Sequence, residues 1–374
     1  MTAFRFGIEH EIAFLHASGE FADFTNTRFQ DLDTLIARLP RFEDDYPQLR
    51  VGDAGIKVKR WYIEGFERFD DAGNVIDCPP KGVEIRTTIH DTIHGAVTEL
   101  RQSFMRLSQE ARDVGLHPVW LSFNPWRIEF VPDPPLTPFE MKNREASPEM
   151  RTADIPMLTY GPDLNLSHPH WDDHTLIDIG RKLTFYSPYI LPFSFSSPFY
   201  NGRLWDGYSV RTWRRTGPRP AVLVFLHNPK HHIASIPSLT QPARVPAEAG
   251  RIEFKAFDTC RDFNLYAALL ALLKGIALDN TLAGRATTPD QALHQRVARL
   301  GFDDPAIAER TNHILNAARL ALGNDPDVAY LTLLEDMLAR RWTPAHEQIR
   351  IYRETGSLAH TLMRLRYAGT HALC

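Results

Sequence analysis

Residues 4–15 read FRFGIEHEIAFL, and the alternation in that stretch decides the fold. Apolar residues alternate with the carboxylates Glu9 and Glu11, the period of a β-strand with one buried face and one polar face. Glu9 and Glu11 stand two apart, so both side chains leave the same face about 7 Å from one another. Two more carboxylates recur in this setting, Glu84 in GVEIRTTI and Glu253 in RIEFKAFD. Each is flanked by apolar neighbours and followed two residues later by a base, Arg86 and Lys255. Hard oxygen ligands at several strand positions suit Mg²⁺, whose remaining coordination is commonly filled by water and substrate phosphate. The same spacing also suits the solvated face of a sheet whose acids pair with neighbouring bases, and spacing alone leaves both readings open.

Working outward, residues 26–40 have helical spacing, and residues 56–69 (IKVKRWYIEGFERF) read as a strand. The turn DDAGN then leads into VIDCPPKGVEIRTTI, which makes this region a hairpin or meander. Residues 92–115 form a helix through Ile93, Val97, Leu100, Phe104 and Leu107, ended at Gly115. Strands return at 117–123 and 157–166 with a Pro-rich loop between them, followed by a helix over 174–190. The next segment, PFSFSSPFYNGRLWDGYSVRTWRRTGPRP, is long and dense in Gly, Pro, Ser and aromatics, as binding loops are. Beyond the strand at 251–258, everything from Asn264 reads as helix with breaks near Gly284, Gly301, Gly323 and Pro344. The expected fold is α+β: a curved, mainly antiparallel sheet forming a funnel-like site, backed by helices (1–263), with a helical C-terminal third (264–374). That third carries no motif tied to chemistry, and its helices suit packing under the sheet or a homo-oligomer interface.

The composition supports a large core, with 43% hydrophobic residues in a chain of 374. A formal net charge of −4 offers no global attraction to nucleic acid or to an anionic membrane, so anionic ligands must be met locally. Cys78, Cys260 and Cys374 are odd in number and far apart, without CxxC spacing, which speaks against a disulfide framework or a thiolate zinc site. Met1 runs directly into the first strand, and no apolar run approaches the roughly 20 residues that span a bilayer. A cytoplasmic protein without nucleic-acid or membrane partners is expected.

Six segments in order resemble the glutamate–cysteine ligases, a branch of the glutamine-synthetase-like carboxylate–amine ligases. GIEHE is similar to the opening strand whose alternate glutamates bind metal, and GVEIRTT to the second glutamate strand. YGPDLNLS resembles the segment carrying a metal-binding histidine, here with Asp163 in its place and Asn165 after it. FSFSSPFYNGR, which contains Ser197, is close to the family's Ser-Ser-Pro-Phe loop, and WDGYSVRTW carries Arg211 where a phosphate- or substrate-binding arginine would lie. RIEFKAFD resembles the late strand with a metal-binding glutamate, with Lys255 replacing an arginine that meets phosphate. The resemblance implies ATP and two or three Mg²⁺ ions, replaceable by Mn²⁺, held by Glu9, Glu11, Glu84, Asp163 and Glu253. It also implies an amide bond, γ-glutamyl or similar, made from small acid and amine substrates through an acyl phosphate. Arg211 and Lys255 are the candidates for the transferred phosphoryl group. Asn165, Ser197, Arg86, Arg214, Arg215 and Arg219 are candidates for ATP or substrate.

Two competing readings stand beside this one. The cluster HPHWDDH (His168, His170, Asp172, Asp173, His174) offers ligands for a zinc hydrolase, although HExxH is absent and His90 and His94 lack a glutamate between them. HNPKHH at 227–232 reads as a loop with solvated histidines. The other reading is a catalytically silent, ATP-binding homologue, against which the four intact glutamates speak. Walker, GxGxxG and GxSxG patterns are all missing, which leaves P-loop, Rossmann and serine-hydrolase readings without support.

Overall fold

A computed structural model describes residues 4–45, 59–243 and 245–368. Along the chain run β1 (Arg5–His16), β2 (Phe21–Ala22), α1 (Phe29–Arg38), β3 (Trp61–Gly65), β4 (Arg68–Phe69), β5 (Val75–Asp77), β6 (Pro80–Arg86), α2 (Ile93–Asp113) and β7 (Leu116–Val119). Then come α3 (Pro138–Ala146), α4 (Pro148–Arg151), β8 (Pro162–Ser167), α5 (Asp173–Ile190), β9 (Phe199–Tyr200), β10 (Arg203–Leu204), α6 (Val210–Arg215), β11 (Val222–Leu226), β12 (Thr240–Pro242) and β13 (Arg251–Phe254). Six helices complete the described residues: α7 (Phe263–Leu278), α8 (Gln291–Leu300), α9 (Pro305–Leu322), α10 (Leu331–Ala339), α11 (Pro344–Thr355) and α12 (Leu358–Leu365).

The expected α+β class holds: a strongly curled sheet lies against helices. Its strand order is β12-β11-β13-β8-β1-β6-β3, with β2 and β7 also pairing β1. Neighbours are antiparallel except β11 and β12, which are parallel and to which the sequence reading assigns no element. The 222–226 strand, VLVFL, is buried along its whole length, so it lacks the alternation that marks a half-buried strand. The expected strand at 56–69 appears only from Trp61, and residues 56–58 lie outside the described residues. The Pro-rich loop between β7 and β8 holds the short helices α3 and α4, each started by a Ser or Thr cap followed by proline.

Strand β1 has the expected two faces. Phe6, Ile8, His10 and Ile12 are buried, and the residues between them are partly open. His10 reaches back to Tyr266 of α7, 2.7 Å away, which fixes the even face as the one packed on helices. Helix α7 is itself buried almost throughout, so one hydrophobic core runs from the sheet through α7 to α9 and α10. Burying leucines such as Leu269, Leu270 and Leu272 contributes about 1.5–3 kcal/mol each. Helix α2 is capped by Thr92 and ends where Gly115 takes φ +77°, as the glycine predicts. Helix packing therefore holds the back of the sheet and leaves the odd face of β1 for chemistry.

Candidate functional site

Register brings the carboxylates together on that odd face. Across β1 and β6, Glu9 lies opposite Arg86 and Glu11 opposite Glu84. Across β1 and β8, Glu9 lies opposite Asp163, and across β13 and β8, Glu253 lies opposite Asn165. The outcome is two adjoining trios, Glu9/Asp163/Glu253 and Glu11/Glu64/Glu84, each with one oxygen per residue within 4.8 Å of the others. Glu9 and Glu84 lie close enough to shift one another's ionisation, so the trios adjoin.

Their electrostatics differ. In the first trio Lys255 contacts both Asp163 and Glu253. Arg251 lies 3.1 Å from Glu9 and 2.8 Å from Glu253, and Arg86 lies 3.8 Å from Glu9. Burial alone would push Glu9 up, but Arg86, Arg251 and Lys255 hold it well below the usual carboxylate range. Burial, against Lys255 and Arg251, leaves Glu253 raised. Lys255 is itself raised by Asp163, Glu253 and Glu9 in spite of burial. In the second trio Lys81 pairs with Glu11 and uses its other protons on the Pro156 and Thr159 carbonyls, each 2.9 Å away. The Gly161 amide donates to the other Glu11 oxygen at 2.9 Å. No cation among the described residues is ion-paired with Glu64 or Glu84. Burial, then Glu64, Glu9 and Glu11, push Glu84 well above its ordinary value, and its Oε1 is buried without a hydrogen-bond partner among the described residues.

The first trio opens into a cavity of about 460 Å³ whose wall includes Glu9, Arg86, Asn165, Arg219, Arg251, Glu253 and Lys255. Phe225, with the Arg251 guanidinium 4.3 Å above its ring, gives the wall an apolar side. Asn165 Oδ1, Glu149 Oε1 and Arg219 Nε lack hydrogen-bond partners among the described residues. Behind this wall lie the buried guanidiniums of Arg211 and Arg215, with half-buried Arg219 in the wall itself. Arg211 donates to the carbonyls of Ala256 (2.9 Å) and Lys255 (3.0 Å), with Asp258 4.0 Å away, which makes it a brace for the end of β13. Arg215 donates to the Pro220 carbonyl, and burial, with Arg211 and Arg219 beside it, pulls it down to about 9. Arg219 binds the Glu149 and Thr152 carbonyls. Neither Arg215 nor Arg219 has a carboxylate partner among the described residues.

Two candidates are seated elsewhere. Ser197 is fully buried, and its hydroxyl donates to Asp258, which also receives the Ser196 amide and the Ser209 hydroxyl. Arg214 turns toward the Ile128 carbonyl and the Trp213 ring. The histidine-rich segments are engaged in architecture. Asp172 caps α5, Asp173 receives the His227 and Asn228 amides and both the His227 and His231 rings, and His90 pairs with Glu99. Among the described residues the metal-competent groups are the two carboxylate trios, and neither contains a histidine. Sequence reasoning missed Glu64, Lys81 and Arg251. Glu64 alternates with Tyr62 along β3, and Arg251 precedes Glu253 by two, so both carried the same period-two signal as the residues that were found.

Among the described residues no helix is long and apolar enough to cross a membrane. No curated protein matches this sequence. Solved structures do, at 12% identity in each of two cases. A bifunctional glutathione synthetase from Pasteurella multocida superposes with a TM-score of 0.59 over 97% of this chain and 51% of its own. The chain thus spans about half the length of that enzyme. A glutamate–cysteine ligase from Francisella tularensis, solved in complex with AMP, superposes with a TM-score of 0.55 over 100% of this chain and 90% of its own. These likenesses establish the fold, and a family description matches residues 5–236, which contain β1, β6, β8 and the arginine-bearing α6. The chain belongs to glutamate–cysteine ligase family 2.

Proposed function

We propose that this chain is an ATP-dependent carboxylate–amine ligase. One observation carries the reading: two carboxylate trios adjoin on one concave sheet face, with buried Arg215 and half-buried Arg219 near them, neither ion-paired with a carboxylate among the described residues. An ionised group buried without a partner is costly, so it marks where an anionic ligand completes the site. Acids and unpaired bases side by side suit a polyphosphate bound together with divalent cations. The AMP in the Francisella tularensis enzyme supports an adenine nucleotide in this cavity.

The donor set fits magnesium best at Glu11/Glu64/Glu84, where an orphaned oxygen of Glu84 waits among three hard ligands. A divalent ion held there would neutralise charge on the transferred phosphoryl group. The remaining work falls to the chain's own residues. A carboxylate is too poor an electrophile for direct attack by an amine, so the acid oxygen first takes the γ-phosphoryl group of ATP, releasing ADP. The amine then attacks the acyl carbon, phosphate leaves with the C–O bonding pair, and the amine proton passes to solvent. Lys255, Arg251 and Arg219, which face the cavity, orient and neutralise the phosphoryl and carboxylate oxygens. Arg211 acts through the backbone it braces.

ADP and phosphate release with Mg-ATP, measured across a panel of carboxylic acids with and without a panel of amines, tests this. The expected result is amine-dependent turnover that disappears in Glu9→Gln and Glu253→Gln. ATP binding without turnover for any pair would instead identify a silent homologue and overturn the proposal.

A further inference from the structure

The two trios are chemically unequal, and the inequality concerns what fills them. Each presents three carboxylates whose oxygens converge within 4.8 Å, close to the spread of oxygens around one small divalent ion. In Glu9/Asp163/Glu253 that space is taken. The Lys255 ammonium contacts Asp163 and Glu253 together, Arg251 spans Glu9 and Glu253, and Arg86 stands beside Glu9. Three acids there face three bases. In Glu11/Glu64/Glu84 the only ion-paired base among the described residues is Lys81. It is only 2% exposed, pairs with Glu11 alone of the three acids, and spends its other protons on the Pro156 and Thr159 carbonyls. Glu84, only 6% exposed, keeps Oε1 without a hydrogen-bond partner among the described residues, and its carboxylate converges with those of Glu11 and Glu64.

An ammonium and a divalent cation cannot share one set of carboxylate oxygens, because the ammonium fills the volume and repels the ion. An uncompensated trio with an orphaned buried oxygen has the opposite preference, since its cost falls only when a cation enters. We infer that the Lys255 ammonium stands in for a divalent cation at Glu9/Asp163/Glu253, so that the nucleotide-free protein takes one ion, at Glu11/Glu64/Glu84. This rests on the reading of the carboxylate face as a cation-binding site and departs from the two or three ions that the family resemblance implies. Lysine suits the role because its compact ammonium is a point charge that fits among converging oxygens, whereas a guanidinium spreads its charge over a plane.

The test counts bound metal in the whole chain, free of nucleotide, by Mn²⁺ electron paramagnetic resonance titration. The wild type is expected to bind one Mn²⁺ per chain, and Lys255→Met to bind two. Glu84→Gln should weaken the wild-type ion by at least tenfold, whereas Glu253→Gln should leave its affinity within about threefold. The glutamine pair decides the matter even if Lys255→Met fails to fold. Two ions per wild-type chain, or a single ion lost in Glu253→Gln and kept in Glu84→Gln, would overturn this inference while leaving the cation-binding face intact. The absence of Mn²⁺ binding in every form would overturn both.

Discussion

At the scale of the residue, Glu84 shows how a functional position strains the fold around it. Its carboxyl is buried among Glu64, Glu9 and Glu11, and its pKa lies well above the ordinary value. A carboxyl whose folded pKa exceeds its unfolded one supports the fold while protonated, below about pH 4.5, and loses that support as pH rises toward the folded pKa. Glutamine mimics the protonated form. Glu84→Gln should therefore match the wild type near pH 4 and exceed it by about 1–2 kcal/mol at neutral pH in the presence of a chelator. Urea unfolding at the two pH values checks this, and equal stability at both would show that Glu84 is not strained. The same substitution should reduce ligase turnover at least a hundredfold, because it removes charge where the cation sits. Arg215 is the cationic counterpart. Arg215→Met removes a buried guanidinium that has no carboxylate ion pair among the described residues, so stability should hold within about 1 kcal/mol while KM for ATP rises tenfold or more. Unchanged steady-state KM would place the nucleotide elsewhere.

At the scale of the element, the site depends on strand register, and register is where the sequence stopped being legible. Alternation in FRFGIEHEIAFL identified β1 and its polar face, and the same period located β6 and β13 with Glu84 and Glu253. Which residues lie opposite one another follows from the curl and order of strands far apart in the chain, so the division into two trios was not readable. Glu64 fell between the two kinds of signal: it lies on a correctly anticipated strand, but its partners come only with the pairing of β3 to β6. Ser197 and Arg214 show the reverse failure, because their loop is correctly singled out while their side chains turn to Asp258 and to Trp213. Gly82 holds the β1–β6 register at close range. A Cβ there would stand 2.2 Å from the Ile12 carbonyl oxygen, so the strands would have to part next to the Glu11–Glu84 pair. Gly82→Ala should destabilise by about 1–3 kcal/mol and weaken Mn²⁺ binding along with it. Thermal unfolding with and without Mn²⁺ measures both, and an unperturbed metal affinity would refute a register role.

At the scale of the whole molecule, the C-terminal helices hold the arginine-bearing loop although they contribute no residue to either trio. The Ala298 carbonyl at the end of α8 receives the Tyr208 and Ser209 amides, and the Ala345 amide of α11 donates to the Phe195 carbonyl. Helix α8 is in turn fixed by His294, which is fully buried, with Nδ1 2.6 Å from the Asp290 carbonyl and Nε2 2.9 Å from the Ser187 hydroxyl on α5. Burial lowers the His294 pKa to about 4, from an ordinary value of 6.5. Because the folded pKa is depressed, the unfolded chain binds the proton first. The stability that neutral His294 provides is present above pH 6.5 and is lost as pH falls toward 4, at up to about 1.4 kcal/mol per unit. His294→Gln keeps one donor and one acceptor and cannot titrate, so its stability should fall less steeply than the wild type between pH 6.5 and 4. The difference between the two urea-unfolding profiles isolates this one group from every other acid-sensitive site. Parallel profiles would mean that the ring takes its proton without leaving the core, and the coupling of α8 to the loop would then have to survive protonation.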